Sequence, residues 1–303
     1  MINDAPAISP ERRSRAGRAV LNLLAAVLVV YAGATIWLMM QETRLVFRAG
    51  NTLGSSRPLP PVTQIDIERA DGLRQFGWEM RRAADAADAP WVLFLHGNAG
   101  SIASRVNIAR YEQLRSLGMN VMAPEYRGFG GLDGVPTEPA VYADARAAYN
   151  HLRQKLGVPP ERIAIYGWSL GAAVAVDLAS HVPEAAVILE GAPASLVALG
   201  QTQYPLFPIR LIMRNPFHAV AKVDRIKAPM LFLHSPEDRV IPIGEGRRLF
   251  DAARTPKKFV EVRGGHVNAA EVDAHTFLAS IGALLHETRL VLSPAPPAVE
   301  LMR

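Results

Sequence analysis

The stretch Ile163-Ala164-Ile165-Tyr166-Gly167-Trp168-Ser169-Leu170-Gly171 decides how this chain is read. An apolar run enters a G-x-S-x-G turn, and an Ala/Val-rich segment from Ala172 to about Ser180 follows at once. The pattern predicts a strand, a sharp turn and a helix. Glycines two places before and two after the serine permit a strained turn of that kind. The turn lifts the hydroxyl above the sheet and sets it at a helix N-terminus. There the dipole and the free N–H groups favour developing negative charge. Elsewhere such a string is an ordinary turn; between a strand and a helix it marks Ser169 as a candidate nucleophile.

A nucleophilic serine needs a base, and the base needs an orienting group. After the apolar strand Met230-Leu231-Phe232-Leu233, Asp238 sits in the following loop. After the strand Lys258-Phe259-Val260-Glu261-Val262, His266 is presented on the glycine-rich loop Arg263-Gly264-Gly265. His266 is the candidate base and Asp238 the candidate orienter. Other readings stand beside these. Asp238 is also placed as an N-terminal acid of a helix predicted over Ile243–Ala253. Glu237 and Glu190, the latter at the end of the predicted strand Ala186–Leu189, are alternative acids. His266 also reads as an ordinary loop histidine. His234 ends a strand and is expected to pack or to bond backbone.

The fourth part is an oxyanion hole. Trp91-Val92-Leu93-Phe94-Leu95 reads as a buried strand, followed by the small-residue loop His96-Gly97-Asn98-Ala99-Gly100-Ser101. Such a loop aims backbone N–H groups at a substrate oxygen. The expected donors are the amides of Leu170 and Asn98, with His96 ordering the loop.

Taken together, the chain resembles the α/β-hydrolase superfamily of serine hydrolases, and more narrowly its Bem46-like and ABHD13-type membrane hydrolases. The resemblance runs over roughly residues 62 to 285. It rests on His96-Gly97-Asn98-Ala99-Gly100, Tyr126-Arg127-Gly128-Phe129-Gly130, Gly134 to Glu138, the Ser169 turn, Asp238 with Val240-Ile241-Pro242, and Gly264-Gly265-His266. The order Ser169, Asp238, His266 is that of the superfamily's triad. There are departures. The subgroup usually has Gly where Ala172 and Ser235 stand. Its Glu-x-x-Phe/Tyr-x-Ser segment appears here as Glu190-Gly191-Ala192-Pro193-Ala194-Ser195. The resemblance implies a serine hydrolase acting on esters or thioesters; a peptidase or amidase on the same residues, and a non-catalytic membrane-anchored binding module, are the alternatives. Relatives that open epoxides or remove halogens use an aspartate where Ser169 stands.

The rest of the pattern predicts an α/β fold, with a mostly parallel central sheet and helices on both faces. Val62–Glu68 and Leu73–Met80 flank the turn Asp71-Gly72 and read as a hairpin. Helices are expected over Ala103–Leu117 and Glu138–Leu156, stopped by Gly118 and Gly157. Ligands then belong at the C-terminal strand ends, where all three triad candidates map. Residues 192–227 form an insertion where a lid is common in this fold. Its apolar, proline-punctuated stretch around Tyr204-Pro205-Leu206-Phe207 suits an apolar acyl group, although packing on the domain explains it too. Trp168, Tyr204 and Phe207 are the candidate substrate contacts. Arg210 and Arg214 face either a head group or solvent.

Half of the 303 residues are hydrophobic and the net charge is +5, with no cysteine. Part of the charge comes from Arg12, Arg13, Arg15 and Arg18, and no nucleic-acid motif accompanies it. Neither a metal site nor a cofactor motif is expected. Ala19–Met40 is a 22-residue run without a charged residue, long enough to cross a bilayer. The preceding arginines predict a cytoplasmic N-terminus, with the hydrolase domain on the extracytoplasmic, periplasmic side. Ala32-Gly33-Ala34 has the form of a signal-peptide cleavage site, the rival reading. The expected division is a basic segment 1–18, an anchor 19–40, a linker 41–61, the hydrolase domain 62–286 and a tail 287–303. A lipid or small-molecule acyl substrate and the membrane are the expected partners.

Overall fold

The computed structural model describes residues 10–49, 53–82, 89–98 and 100–290. Ala99 of the expected oxyanion loop, the tail from Val291 on and parts of the expected linker lie outside the described residues. The chain divides into two units, Met1–Glu42 and Thr43–Arg303. The first is helical from Pro10. The helix α1, Pro10–Phe47, contains one segment long and apolar enough to cross a membrane, Gly17–Phe47. Leu24 and Val30 of its apolar stretch are exposed, whereas Leu38 and Glu42 nearer its end are buried.

The second unit is built on eight strands: β1 Val62–Ile67, β2 Gln75–Met80, β3 Trp91–Leu95, β4 Asn120–Pro124, β5 Ile163–Trp168, β6 Ala186–Glu190, β7 Met230–His234 and β8 Lys257–Glu261. They form one sheet in the order β1-β2-β4-β3-β5-β6-β7-β8. β1 and β2 pair antiparallel, β2 meets β4 antiparallel, and β3 to β8 run parallel. The connecting helices are α2 Arg105–Ser116, α3 Glu138–Asn150, α4 Leu170–Ala179, α5 Leu196–Gln203, α6 Ile209–Ile212, α7 Ile243–Ala252, α8 Ala269–Val272 and α9 Ala274–Glu287.

Strand side chains alternate between two cores. Leu93, Leu95, Ile163, Ile165, Val187, Leu189 and Phe232 face one core with α3, α4 and α7. Val92, Phe94, Ala164, Tyr166, Ile188, Leu231 and Leu233 face the other with α2 and α9. With both faces covered, the central strands are apolar throughout rather than alternating. The two cores therefore account for the continuous apolar runs of the sequence.

Two elements differ from expectation. α3 starts at a Thr137 cap, whose hydroxyl accepts the Ala140 N–H at 3.3 Å, but it is α-helical only to Asn150. The next turn, His151–Lys155, widens to π-helical geometry and closes with the Leu156 N–H on the His151 carbonyl at 3.2 Å. α1 does not stop with the apolar run. It continues to Phe47, whose ring is fully buried and meets Phe217 edge-on at 5.9 Å.

Candidate active site

β5 ends at Trp168, α4 begins at Leu170, and Ser169 alone makes the turn. Ser169 takes φ 57° and ψ −123°, a conformation that costs a non-glycine residue on the order of 1–3 kcal/mol. The glycines on either side serve another purpose. A Cβ on Gly167 would lie 2.4 Å from the Gly171 carbonyl oxygen, and one on Gly171 only 2.0 Å from that of Leu95. The strain is borne by the serine itself, while the glycines let strand and helix backbones approach.

The loops after β7 and β8 bring the other two candidates to this turn. His266 Nε2 is 2.8 Å from Ser169 Oγ, and His266 Nδ1 is 2.6 Å from Asp238 Oδ2. A carboxylate only accepts, so Nδ1 carries a proton, and in the neutral ring Nε2 is left to accept from the serine. Asp238 Oδ1 accepts the N–H groups of Val240 and Ile241 at 2.9 and 2.8 Å. Burial alone would raise its carboxyl. The hydrogen bond and charge of His266, with those two N–H groups, outweigh burial and hold it below the usual carboxylate range. Asp238 is thus an ionised acceptor with its second oxygen locked in place.

The competing acids lie elsewhere. Glu237 donates its N–H to the Ser235 hydroxyl. Glu190 turns away from the histidine and pairs with Arg110 at 2.8 and 2.5 Å. Next to it, a Cβ on Gly191 would crowd the His266 ring at 3.3 Å, and glycine leaves the ring its place. His234 is packed as expected: Nε2 meets the Ile241 carbonyl at 2.9 Å, and burial lowers its basicity.

The loop after β3 runs beside the serine. A Cβ on Gly97 would sit 3.2 Å from Ser169 Cβ, so a larger residue there would crowd the serine. Among the described residues, no protein acceptor takes the N–H of Leu170 or of Asn98. The Asn98 side chain donates to the Val46 carbonyl at 2.8 Å, and Gly100 bridges to Ala49. His96 is fully buried beneath the loop, with Nδ1 2.8 Å from the Gly97 carbonyl and Nε2 2.9 Å from Glu125. It orders the loop. Arg127 is spent on a carboxylate, gripping Asp144 through Nη2 at 2.6 Å.

A support network has no signature in the local sequence. Arg110, on α2, is buried against Glu190, and the Tyr166 hydroxyl donates to the same carboxylate. Burial opposes its charge; the neighbouring Glu190 outweighs burial and keeps the guanidinium protonated. Arg110 also donates to the Val267 carbonyl at 3.3 Å, and its guanidinium lies 4.3 Å from the Trp168 ring centroid. Trp168 in turn stacks on His266 at 5.8 Å and donates to its carbonyl at 3.3 Å. The Ser235 hydroxyl donates to the Gly264 carbonyl of the histidine loop. Separations of 80 and 157 residues hide these pairs from any periodic reading.

Of the candidate substrate contacts, Trp168 is held between Arg110 and His266 as a supporting ring. Tyr204 and Phe207 are half-buried in the insertion, near the exposed Leu206 and Leu211. The base of the insertion is pinned. Glu245 accepts the N–H groups of Ala194 and Ser195 at 3.1 and 3.2 Å, and Glu138 accepts that of Phe217 at 2.8 Å.

Comparison with known proteins agrees with this architecture. Residues 92–217 match the model of the Alpha/beta hydrolase family. The Mycobacterium tuberculosis protein Rv2307c, itself uncharacterized, is 35% identical over 274 residues, which cover 89% of this chain and 96% of that protein. The lysophosphatidylserine lipase ABHD12 of Danio rerio is 31% identical over 67% of this chain and 58% of that protein. Among solved structures, the Pyrococcus furiosus esterase Pf2001 superposes with a TM-score of 0.64 at 19% identity, covering 80% of this chain and 98% of that one. By sequence and by strand order, the chain belongs to the alpha/beta hydrolase family.

Proposed function

We propose that this chain is a membrane-anchored serine hydrolase of the Bem46-like, ABHD13-type subgroup, cleaving carboxylic esters or thioesters of apolar acyl chains. The observation that carries the reading is the unbroken relay from Ser169 Oγ through His266 to Asp238, at 2.8 and 2.6 Å, on a strained strand-to-helix turn. Ser169 attacks the carbonyl carbon while His266 Nε2 takes its proton. Asp238 stabilises the imidazolium without accepting that proton. The Leu170 and Asn98 amides receive the developing oxyanion. His266 returns the proton to the leaving alkoxide or thiolate as the bond to the acyl carbon breaks. Water, deprotonated by His266, then releases the carboxylic acid and restores Ser169.

Esters are favoured over amides because their leaving groups need less protonation. The Danio rerio relative, a lysophosphatidylserine lipase, supports an acyl lipid substrate. The apolar Gly17–Phe47 segment supports retention as an anchor, and the arginines before it support an extracytoplasmic domain.

Covalent labelling with a fluorophosphonate probe tests the chemistry. An adduct mapped to Ser169, absent in Ser169→Ala and strongly reduced in His266→Ala, is the expected result. A folded wild-type protein that stays unlabelled in both detergent and lipid vesicles would replace the hydrolase reading with that of a binding module.

A further inference from the structure

A groove of about 870 Å³ lies outside the triad, between the segment following the apolar run and the glycine-rich loop after β4. Its lining includes Arg44, Arg48, Gly128, Gly131, Asp133 and Gly134. Arg44 and Arg48 are both exposed, and among the described residues neither guanidinium has a carboxylate or carbonyl partner. Asp133 shares the groove without pairing to either, so the groove keeps a net positive charge. The opposite wall, between Gly128 and Pro136, includes three glycines. Gly128, Gly131 and Gly134 have φ values of 77°, 86° and 111°, the left-handed conformation that glycine adopts without strain.

Position narrows the ligand. Arg44 is the fourth residue after Met40, where the apolar run ends. At about 1.5 Å per helical residue it stands about 6 Å beyond that end. The polar interfacial zone on each side of a bilayer is roughly 5–7 Å deep, so Arg44 falls at head-group level and Arg48 just past it. The groove is also tied to the proposed oxyanion loop. Val46, between the two arginines, accepts the Asn98 side chain, and Ala49, a groove residue, bridges to Gly100.

We propose that this groove binds the phosphate of a membrane phospholipid head group, on the oxyanion-loop side of the Ser169 site. Guanidinium pairs suit phosphate oxygens by geometry as well as by charge. Asp133 supplies one acceptor for a hydroxyl or ammonium on the same head group. The inference rests on the membrane-anchored ester-hydrolase reading and names the head group of its substrate.

The test uses the full chain in detergent, in a Ser169→Ala background so that turnover cannot intervene. Binding of short-chain dihexanoylphosphatidylglycerol is measured by calorimetry. At about 1 kcal/mol per arginine, Arg44→Gln/Arg48→Gln should bind roughly 30-fold more weakly. Arg44→Lys/Arg48→Lys should recover most of the affinity. Dihexanoylglycerol, which lacks the phosphate, should bind wild type no better than the lipid binds the Gln variant. The Gln variant should melt with wild type, since no protein contact is lost. Equal lipid affinity of wild type and Gln variant, or equal affinity for the phosphate-free lipid, overturns the proposal. Inorganic phosphate competing at the same concentration as the lipid would make this a free-anion site and overturn the lipid assignment. Fluorophosphonate labelling of wild-type Ser169 in the same detergent reports on the hydrolase reading separately.

Discussion

Asp238 illustrates how one side chain is made single-purpose. One oxygen is tied to two backbone N–H groups, and the other faces His266 at 2.6 Å. Asp238→Asn preserves the shape but offers an NH₂ or a neutral oxygen, so the ring loses its fixed tautomer. Ester hydrolysis should drop by about 10⁴-fold in kcat with KM little changed, as steady-state kinetics would show. A loss below tenfold would mean that another acid orients His266. Glu184 carries a different prediction. Burial pushes its carboxyl up to about 8, and its Oε2 has no hydrogen-bond partner. The folded state holds a proton there that the unfolded chain releases near 4.5, so between these values stability falls as pH rises. Glu184→Gln should stabilise the protein by on the order of 1–3 kcal/mol near pH 8 and by little in acid, read from urea melts at both ends. A gain independent of pH would show that ionisation of Glu184 is not the cause.

At the scale of elements, the turn between β5 and α4 depends on backbone approach. Gly171→Ala sets a methyl against the Leu95 and His96 carbonyl oxygens, at 2.0 and 2.5 Å, and neither can move without shifting a buried strand end. A cost of about 3 kcal/mol or more is expected, visible as a lower Tm. Gly244→Ala is the matched control. It lies in α7 with nothing within 4 Å of the new methyl, and it should stabilise by about 0.5–1 kcal/mol. The insertion shows the opposite design, a pinned base under an apolar crown. Leu206 and Leu211 are 81% and 85% exposed. Leu206→Asp/Leu211→Asp should lower turnover of long-chain esters presented in vesicles and spare a soluble butyrate ester. Equal losses on both substrates would assign the crown to structure rather than to lipid access.

For the molecule as a whole, the boundary that matters lies after Glu42, not at the end of the apolar run. Thr43 to Ala49 belongs to the second unit: Phe47 is fully buried among its core residues, and Val46 accepts a bond from Asn98 of the proposed oxyanion loop. Deleting residues 1–42 should therefore yield a soluble protein whose Ser169 still labels with fluorophosphonate. Deleting 1–48 should abolish labelling. Phe47→Ala in the full chain should cost about 3–5 kcal/mol by chemical denaturation, as for other buried aromatics. Full labelling after the longer deletion would show that the segment is dispensable.

Several features were determined by sequence alone because their causes are local. A strand buried on both faces reads as a continuous apolar run. A serine turn with flanking glycines reads as an elbow, because only glycine lets backbones come within 2–2.5 Å of a Cβ position. Chain order then paired Ser169 with Asp238 and His266, since parallel strands deliver their following loops to one edge of the sheet. The hydrophobic span was equally legible, being a matter of length and charge. Tertiary structure decided what depends on partners far apart in the chain. Arg110 and Glu190 are both charged and both fully buried, and no pattern within either segment announces it; each is stable there only because the other is. Trp168 became a support for His266 rather than an open pocket wall because Arg110 and the histidine loop close over its two faces. Phe47 joined the core through Phe217, 170 residues away, a contact that folding alone creates.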